Sequence, residues 1–314
     1  DDPDSGGRYL ISGLGGGAAR SLVEDLNLRA NGSGSTGQSL TRPRIGLFRP
    51  WQASMDEGWT RWMLEQYDFD VASVRNADVK TGALKERFDV VILADYGART
   101  ILEGHREGTI QPRFVGGIGA EGVRALDEFV LGGGTLVCLN GSSQFAIDEL
   151  RLPVKNVAAG LGGEEFSISG SILEILTDPS HPVMAGMPSR APVFFSRSPV
   201  FTVTDEFEGV VLAKHVEAGS PLLSGYLLGE EKLHGHAAAL DVHHGEGHVI
   251  LLGFKPQWRG QPFGSFRTLF NAALFHGPHA NSATGAPGFW SPPENPEARR
   301  VTSCPRFARR PKIS

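Results

Sequence analysis

Short apolar runs alternate with helical patterns through the first half of the chain. Residues 45–48, 90–93 and 135–139 are near-continuous apolar runs, as expected of strands that are buried on both faces of a sheet. Apolar residues at helical spacing occupy 120–131, and three glycines follow them, as at a helix end. This β-α-β order predicts a doubly wound α/β fold, in which a mostly parallel sheet has right-handed crossovers and helices on both faces.

The segment after the first apolar run has the sequence pattern of a helix. Ser54 and Glu57 stand at the spacing of a capping box, which marks a helix start. A stripe at positions i, i+3, i+4, i+7 and i+8 follows, formed by Trp59, Trp62, Met63, Gln66 and Tyr67. We therefore predict an amphipathic helix that begins beside Ser54.

The second half of the chain is richer in strand patterns. The predicted strands are 169–176, 210–213, 222–225, 238–242 and 249–252. Residues 241–249 include a Gly-containing loop and indicate a hairpin. We interpret these strands as mixed or antiparallel additions to the sheet, and the apolar stripe in 266–275 predicts the last helix.

The flanking segments lack the pattern of a packed domain. Residues 1–43 are rich in Gly, Ser and Asn around one helical pattern at 18–28, so we predict a linker with a residual helix. Residues 44–276 form the predicted α/β domain. The chain then becomes Pro-rich, basic and aperiodic, which predicts a disordered tail over 277–314.

Charge and cysteine content argue against several classes of protein. A net charge of -5 is unlike that of a nucleic-acid binder, so we expect no nucleic-acid partner. Cys138 and Cys304 lie far apart and imply no disulfide framework. No apolar run reaches the roughly 18 residues of a membrane span, and we expect no membrane partner. Since the chain opens without methionine, we expect a processed or partial product, whose localisation its own sequence leaves open.

Ligands of open α/β sheets bind beyond the carboxyl ends of the strands. Polar and aromatic residues gather in the loops that follow the predicted strands. The candidate ligand-binding residues there are Arg49, Trp51, Asp56, Asp95, Asn140, Ser142, Gln144, Arg259 and Gln261. Trp51 follows Arg49 and Pro50, a setting that suits stacking on a sugar or peptide as well as core packing.

The turn at residues 139–143 lies where related strand-turn-helix enzymes carry a nucleophile. Its sharp position falls at Leu139 or Asn140, and neither side chain is a nucleophile. Cys138 should point into the sheet packing, where a thiol is inert, and Ser142 or Ser143 most simply caps the next helix. We therefore predict no catalytic residue in this chain.

Two alternatives remain open at this point. In the first, the chain is a stand-alone hydrolase or amidotransferase that uses Cys138 or Ser142 with His181 or a loop carboxylate. In the second, His243, His244 and His248 hold zinc, since the segment at 243–246 has the letters of a His-x-x-Glu pair. The hairpin explains these residues without a metal, so we predict no metal site.

Four strings carry a family resemblance: Arg-Ile-Gly-Leu-Phe-Arg-Pro-Trp (44–51), Ala-Ser-Met-Asp-Glu-Gly-Trp-Thr-Arg-Trp (53–62), Gly-Gly-Ile-Gly-Ala-Glu-Gly (116–122) and Gly-Phe-Lys-Pro-Gln-Trp-Arg-Gly-Gln (253–261). They resemble the C-terminal region of bacterial M14-family zinc carboxypeptidase-like proteins. That region is similar to a class I glutamine-amidotransferase-like domain, and the resemblance covers roughly residues 44–276. It implies a flavodoxin-like, doubly wound sheet.

The resemblance also implies a role and a partner. In such proteins an N-terminal peptidase domain holds zinc through a His-x-x-Glu pair and a distant His, and no part of this chain matches that domain. The elbow cysteine of the amidotransferases falls at Leu139 when Asn140-Gly141 is matched. The implied role is a non-catalytic accessory domain that binds substrate or packs against the peptidase domain. Zinc would belong to the parent protein only, which would be exported and act in proteolysis.

Overall fold

A computed structural model describes residues 10–34 and 39–293 of the chain. The strands are β1 Ile45–Phe48, β2 Val71–Val74, β3 Val90–Leu93, β4 Thr135–Leu139, β5 Val154–Asn156, β6 Ser169–Thr177, β7 Arg190–Ser196, β8 Phe201–Val203, β9 Gly209–Lys214, β10 Leu222–Ser224, β11 Ala237–His244 and β12 Gly247–Leu252. The α-helices are α1 Gly16–Asp25, α2 Met55–Gln66, α3 Asn76–Lys80, α4 Leu84–Arg87, α5 Ala98–Leu102, α6 Gly119–Leu131, α7 Ser142–Glu149, α8 Phe263–Ala273 and α9 Gly277–Asn281. Short 3-10 turns occupy Pro112–Phe114, Pro182–Met184, Glu230–Lys232 and Trp258–Gly260.

All twelve strands belong to one mixed sheet. Five of them are parallel and stand in the order β2-β1-β3-β4-β12, which is the 2-1-3-4-5 order of flavodoxin-type sheets. From β12 onward the pairing is antiparallel, through β11, β9 and β6, with β10 at the end of the path. The predicted α/β class, with antiparallel strands added to a parallel part, is confirmed.

The two faces of the sheet carry separate cores, because neighbouring residues on a strand point to opposite sides. Cys138 packs with Phe129 of α6 and Phe145 of α7 on one face. Leu139 packs with Met63 of α2 and Leu269 of α8 on the other. The sheet is therefore covered by helices on both faces, as predicted for a doubly wound fold.

Helix α2 forms where the capping pattern predicts it, but it buries a different face. Ser54 is the N-cap, and its hydroxyl accepts hydrogen bonds from the backbone N–H groups of Asp56 and Glu57. The buried side chains are Asp56, Glu57, Thr60, Met63 and Leu64. Trp62 of the predicted stripe is 42% exposed. The acidic face of α2 is buried because Asp56 pairs with the buried ammonium of Lys255.

Strands β5, β7 and β8 were not predicted. Strand β7 pairs along its length with β6, and its residues alternate between buried and more exposed positions. Pro192 lies in its middle, and proline usually argues against a central strand. The hairpin of β11 and β12 is confirmed, with His244 opposite Gly247.

The segment predicted as a disordered tail begins with ordered structure. Residues 277–281 form α9, and Ala280 is buried in the core. The backbone N–H of Ala286 donates to Asp178, and the Trp290 indole donates to the carbonyl of Gly235. The prediction is therefore wrong for 277–293, because small and aromatic residues there pack on the sheet. Residues 294–314, including Cys304, lie outside the described residues, as do 1–9 and 35–38.

Helix α1 confirms a helix within the predicted linker. It begins two residues before the predicted pattern and buries no side chain. Among the described helices, none combines the length and the apolar character that crossing a membrane requires.

Candidate functional site

Four parallel strands deliver polar residues to one edge of the sheet. Asp56 follows β1 at the start of α2, Asp95 follows β3, Asn140 follows β4, and Lys255 follows β12. The carboxyl ends of parallel strands meet at the same edge, which is where ligands of such sheets bind. We call these four residues the carboxyl-edge cluster.

Lys255 is the centre of this cluster. Its Nζ lies 2.5 Å from Asp95 Oδ2 and 3.3 Å from Asp56 Oδ2, and only a tenth of the side chain is exposed. The ammonium also lies 4.7 Å from the ring centroid of Trp258, as in a cation–π contact. Two carboxylates and one aromatic face thus surround a single buried cation.

Asn140 occupies the sharp position of the turn after β4. Its φ is +52°, in the left-handed region that asparagine tolerates better than most residues. The Asn140 amide donates to Asp95 Oδ2 and the Gly141 N–H donates to Asp95 Oδ1, each at 3.0 Å. A Cβ at residue 141 would lie 2.7 Å from Asp95 Oδ1, so glycine is required. This is the geometry of a nucleophile elbow, and its sharp residue is Asn140 rather than Leu139.

The two nucleophile candidates in this turn are buried. Cys138 is fully buried, and burial raises the pKa of its thiol far above the usual range. The Ser142 hydroxyl lies 3.0 Å from the carbonyl oxygens of Leu93 and of Leu139. His181 packs on the opposite face of the sheet from Cys138, in contact with Phe275. His181 is therefore not brought to Cys138, as one form of the hydrolase alternative requires.

The predicted capping role of the two serines is also wrong. Gly141 is the N-cap of α7, and no side chain caps that end. The Ser143 hydroxyl donates instead to the carbonyl of Cys138, at 3.4 Å. The left-handed turn at Asn140 moves the helix start by one residue and leaves the serines inside the first turn.

Burial is the main influence on the pKa of Asp56 in the carboxyl-edge cluster. Burial raises the pKa of Asp56, and the nearby carboxylate of Asp95 adds to the rise, although Lys255 opposes it. Gln257 supports the same helix end, since its amide donates to the carbonyl of Asp56 and to Thr60 Oγ1. The cluster holds two acids and one base, and every charged group in it already has a partner.

The other candidate residues lie around this cluster or away from it. Arg49 Nε lies 3.8 Å from Glu57 Oε2. Trp51 is 41% exposed, and its ring centroid lies 4.6 Å from that of Phe114. The Arg75 guanidinium lies over the Trp51 ring, 4.3 Å from its centroid, so this tryptophan belongs to an accessible aromatic and cationic surface.

Arg259, Gln261 and Gln144 complete the predicted set. Arg259 has a φ of +49° and lies 5.0 Å from the ring centroid of Trp258. Gln261 is exposed. The Gln144 side chain hydrogen-bonds Asp148 and Asn156. Arg259 and Gln261 therefore flank the carboxyl-edge cluster. The Gln144 side chain is instead held by its hydrogen bonds to α7 and β5.

An open cleft of about 330 Å³ lies between the segments that follow β1 and β3. Its lining is mostly polar, and Arg99, His105 and Arg106 make part of it basic. Gln52 also lines the cleft, and its amide donates to the carbonyl of Gly104 at 3.4 Å. The cleft offers cationic and amide groups to a small polar ligand.

Lys255 and Gln257 were missed as site residues. Both lie in the loop after β12, within the string at 253–261 that carries the family resemblance. A lysine three residues beyond a buried strand end could have been chosen by the strand-end rule that selected Asp95. Its pairing with Asp56 depends on the position of β12 in the sheet, which the sequence does not reveal.

A second polar cluster lies within the antiparallel hairpin. Asp241, His243 and His248 place one potential ligand atom each within 4.8 Å of one another. Burial opposes the ionised form of Asp241, but the side chains of His181 and His248 outweigh it, so its pKa lies below the usual range. His244 points to the other face, and its Nε2 lies 2.6 Å from Asp127 Oδ1. The zinc triple that includes His244 is therefore not assembled.

Comparisons with known proteins give distant likenesses only. No family model and no curated protein matches the chain. PurLQS from Thermotoga maritima is 13% identical, with a TM-score of 0.48, and the match covers 74% of this chain and 98% of that one. A putative ThuA-like protein from Bacteroides uniformis is 10% identical, with a TM-score of 0.40 and coverage of 78% and 96%.

A β-galactosidase from Bacillus circulans sp. alkalophilus is 13% identical, with a TM-score of 0.44; the match covers 74% of this chain and 30% of that one. At such TM-scores the likenesses say nothing about function. The fold class stated above therefore stands on the strand order and pairing of this chain alone.

Proposed function

We propose that this chain is a non-catalytic, class I glutamine-amidotransferase-like accessory domain that binds a ligand or packs against an M14-type zinc carboxypeptidase domain. The observation that carries the proposal is Asn140, which has the backbone geometry of an elbow residue but presents an amide. Acyl transfer at this position needs a thiol or a hydroxyl beside a base. The zinc and the peptidase chemistry would belong to the partner domain.

The strand order supports the amidotransferase-like part of the proposal. Five parallel strands stand in flavodoxin-type order, and β4, one of them, ends at the turn that carries Asn140. In this arrangement the residue after the fourth strand in the order stands at the ligand edge of the sheet. Asp95 then fixes an inactive turn, because both of its oxygens accept hydrogen bonds from Asn140 and Gly141.

The carboxyl-edge cluster would have a structural role in such a domain. Lys255 forms ion pairs with both Asp56 and Asp95 in a buried setting. The accessible groups at the same edge are Trp51, Arg259 and Gln261. An exposed indole with cationic and amide neighbours suits a peptide or a sugar, or the polar surface of a docked domain.

The first experiment tests the partner. We expect the reading frame upstream of the Asp1 codon to encode a His-x-x-Glu motif and a later His. The encoded peptidase domain, expressed separately, should bind this chain in isothermal titration calorimetry. Trp51→Ala should weaken the binding, whereas Tyr226→Ala, which truncates an aromatic residue 57% exposed on the antiparallel side, should not.

A start codon preceded by a stop codon at that place would overturn the assignment to a peptidase. Failure of the two separate domains to associate would overturn the packing role. In that case equilibrium dialysis with unmodified peptides and oligosaccharides decides whether a ligand-binding role survives.

The second experiment tests the absence of a nucleophile. In a Cys304→Ser background, the Cys138 thiol should react with a disulfide reagent only after unfolding in guanidinium, because the folded protein buries it completely. Cys138→Ala in the same background is the control for non-specific labelling. Rapid stoichiometric labelling of the folded protein would contradict the proposal and favour a cysteine hydrolase.

A further inference from the structure

The hairpin of β11 and β12 brings three metal-binding side chains to one face of the sheet. His243 is the cross-strand partner of His248. Asp241 lies two residues before His243 and so points to the same side. Neighbouring Leu240 and Val242 belong to the core on the opposite face, which confirms this alternation. The arrangement is thus a direct consequence of strand register.

The distances between these side chains suit a single bound ion. His248 Nδ1 lies 2.9 Å from Asp241 Oδ1 and 3.1 Å from Asp241 Oδ2, and His243 Nε2 lies 3.8 Å from Asp241 Oδ2. Ligand atoms around a tetrahedral zinc are about 3.3–3.6 Å apart, given zinc–ligand bonds of about 2.0–2.2 Å. Small side-chain rotations would bring all three atoms to that separation.

The buried carboxylate of Asp241 needs a positive charge nearby to compensate it. Its side chain is fully buried, and its ion-pair partners among the described residues are histidines alone. A buried carboxylate is costly unless a positive charge compensates it. Either a protonated imidazole or a bound metal ion can supply that charge.

A third histidine approaches the same carboxylate from another element. His181 is fully buried, and its Nε2 lies 3.4 Å from Asp241 Oδ2 without an aligned hydrogen bond to any described residue. Its Nδ1 accepts a hydrogen bond from the backbone N–H of Val183, which leaves the proton on Nε2. His181 is thus a buried donor that faces the Asp241 carboxylate at ion-pair distance and is suited to orient that ligand.

We infer that Asp241, His243 and His248 bind one divalent ion of the zinc type, with His181 as a positioning residue for Asp241. Two imidazoles and one carboxylate are a donor set that zinc accepts and that magnesium and calcium, which prefer oxygen ligands, do not favour. His243 is 40% exposed, so the site opens to solvent there. Three protein ligands and an open position leave room for a water molecule or a small anion as the fourth ligand.

His244 provides a matched control within the same hairpin. It is adjacent to His243 but lies on the opposite face, hydrogen-bonded to Asp127. His244→Gln should therefore leave metal binding unchanged. The inference does not depend on the proposed function, because His248 lies at the amino end of β12, beside Thr135 at the start of β4, and so at the edge of the sheet opposite the carboxyl-edge cluster.

The experiment titrates Co²⁺ into the chelator-treated full chain and follows the visible absorption of the ion. We expect saturation at one equivalent and displacement by Zn²⁺. His243→Gln and His248→Gln should lower the affinity by more than the roughly 10–100-fold expected for the positioning variant His181→Gln. Zn²⁺ should also raise the Tm of the wild type and of His244→Gln, but not that of His243→Gln.

Because His243 is partly exposed, His243→Gln should fold, which far-ultraviolet circular dichroism checks. Two results would overturn the inference. One is the absence of a saturable cobalt spectrum in the wild type. The other is an affinity that His243→Gln and His244→Gln reduce equally, as expected for adventitious binding to surface histidines.

Discussion

Two carboxylates of this chain are neutralised in different ways on the same sheet. Asp95, at the carboxyl edge, faces the ammonium of Lys255. Asp241, in the antiparallel hairpin, pairs among the described residues with imidazoles alone. The ammonium of a lysine has no free lone pair for a metal ion, whereas a neutral imidazole nitrogen is a common metal ligand. The first cluster therefore already contains its cation, whereas the second has the groups to bind a metal ion.

The difference follows from what each carboxylate holds in place. Asp95 anchors the backbone turn at Asn140 and Gly141, so any loss of its charge would loosen the elbow. Asp241 is held by the side chains of His248 and His181. Within the described residues, no backbone N–H donates a hydrogen bond to its carboxylate. Since its folded pKa is lowered, its stabilisation is present at neutral pH and is lost as the pH falls through that pKa.

Lys255→Met should have the largest effect on stability. The substitution leaves Asp56 and Asp95 buried without their cation, and removal of one partner from a buried pair costs about 3–5 kcal/mol of the free energy of unfolding. Urea denaturation at pH 7 measures it. The control is Lys232→Met, because that lysine is 41% exposed and only 4.0 Å from Glu231.

The control variant should lose less than about 1 kcal/mol. If Lys255→Met and Lys232→Met lose the same stability, the carboxyl-edge cluster is not a structural element and the contrast with Asp241 fails. Partial recovery in Lys255→Met combined with Asp56→Asn would show that the uncompensated carboxylate is the cause.

A histidine without an acidic partner sharpens the comparison further. His215 is fully buried, both of its ring nitrogens lack hydrogen-bond partners among the described residues, and burial lowers its pKa to about 3. The unfolded chain takes up this proton near pH 6.5, and the folded chain does not until about pH 3. The free energy of unfolding should therefore fall by up to about 1.4 kcal/mol per pH unit as the pH drops below 6.5.

His215→Leu should remove this contribution. At pH 7 the variant should be about as stable as the wild type, and at pH 5 it should be more stable by about 2 kcal/mol. Urea denaturation at the two pH values checks this. If the free energy of unfolding changes as much between pH 7 and pH 5 in the variant as in the wild type, other groups control the acid response. His236 is one such group, because burial also lowers its pKa.

Local sequence pattern was sufficient for the buried parallel strands. The bounds of β1, β3 and β4 were predicted correctly because each is an uninterrupted apolar run. The pattern failed where a distant partner decides which side chains are buried. Asp56 is buried because its carboxylate pairs with Lys255, almost 200 residues later in the chain. Asp241 is a single acid inside an apolar strand, and its partner His181 comes from a separate loop.

The smallest expected effect concerns the backbone at Asn140. Its φ of +52° is accessible to glycine and costs other residues about 1–2 kcal/mol. Asn140→Gly and Asn140→Ala both remove the amide that donates to Asp95, so the difference between them isolates the backbone conformation. We expect the alanine variant to be less stable than the glycine variant by about 1 kcal/mol in urea denaturation. Equal stabilities of the two variants would mean that the turn relaxes out of the left-handed region. Asp95 and Lys255 would then not hold an elbow, and the contrast with the hairpin cluster would lose its structural basis.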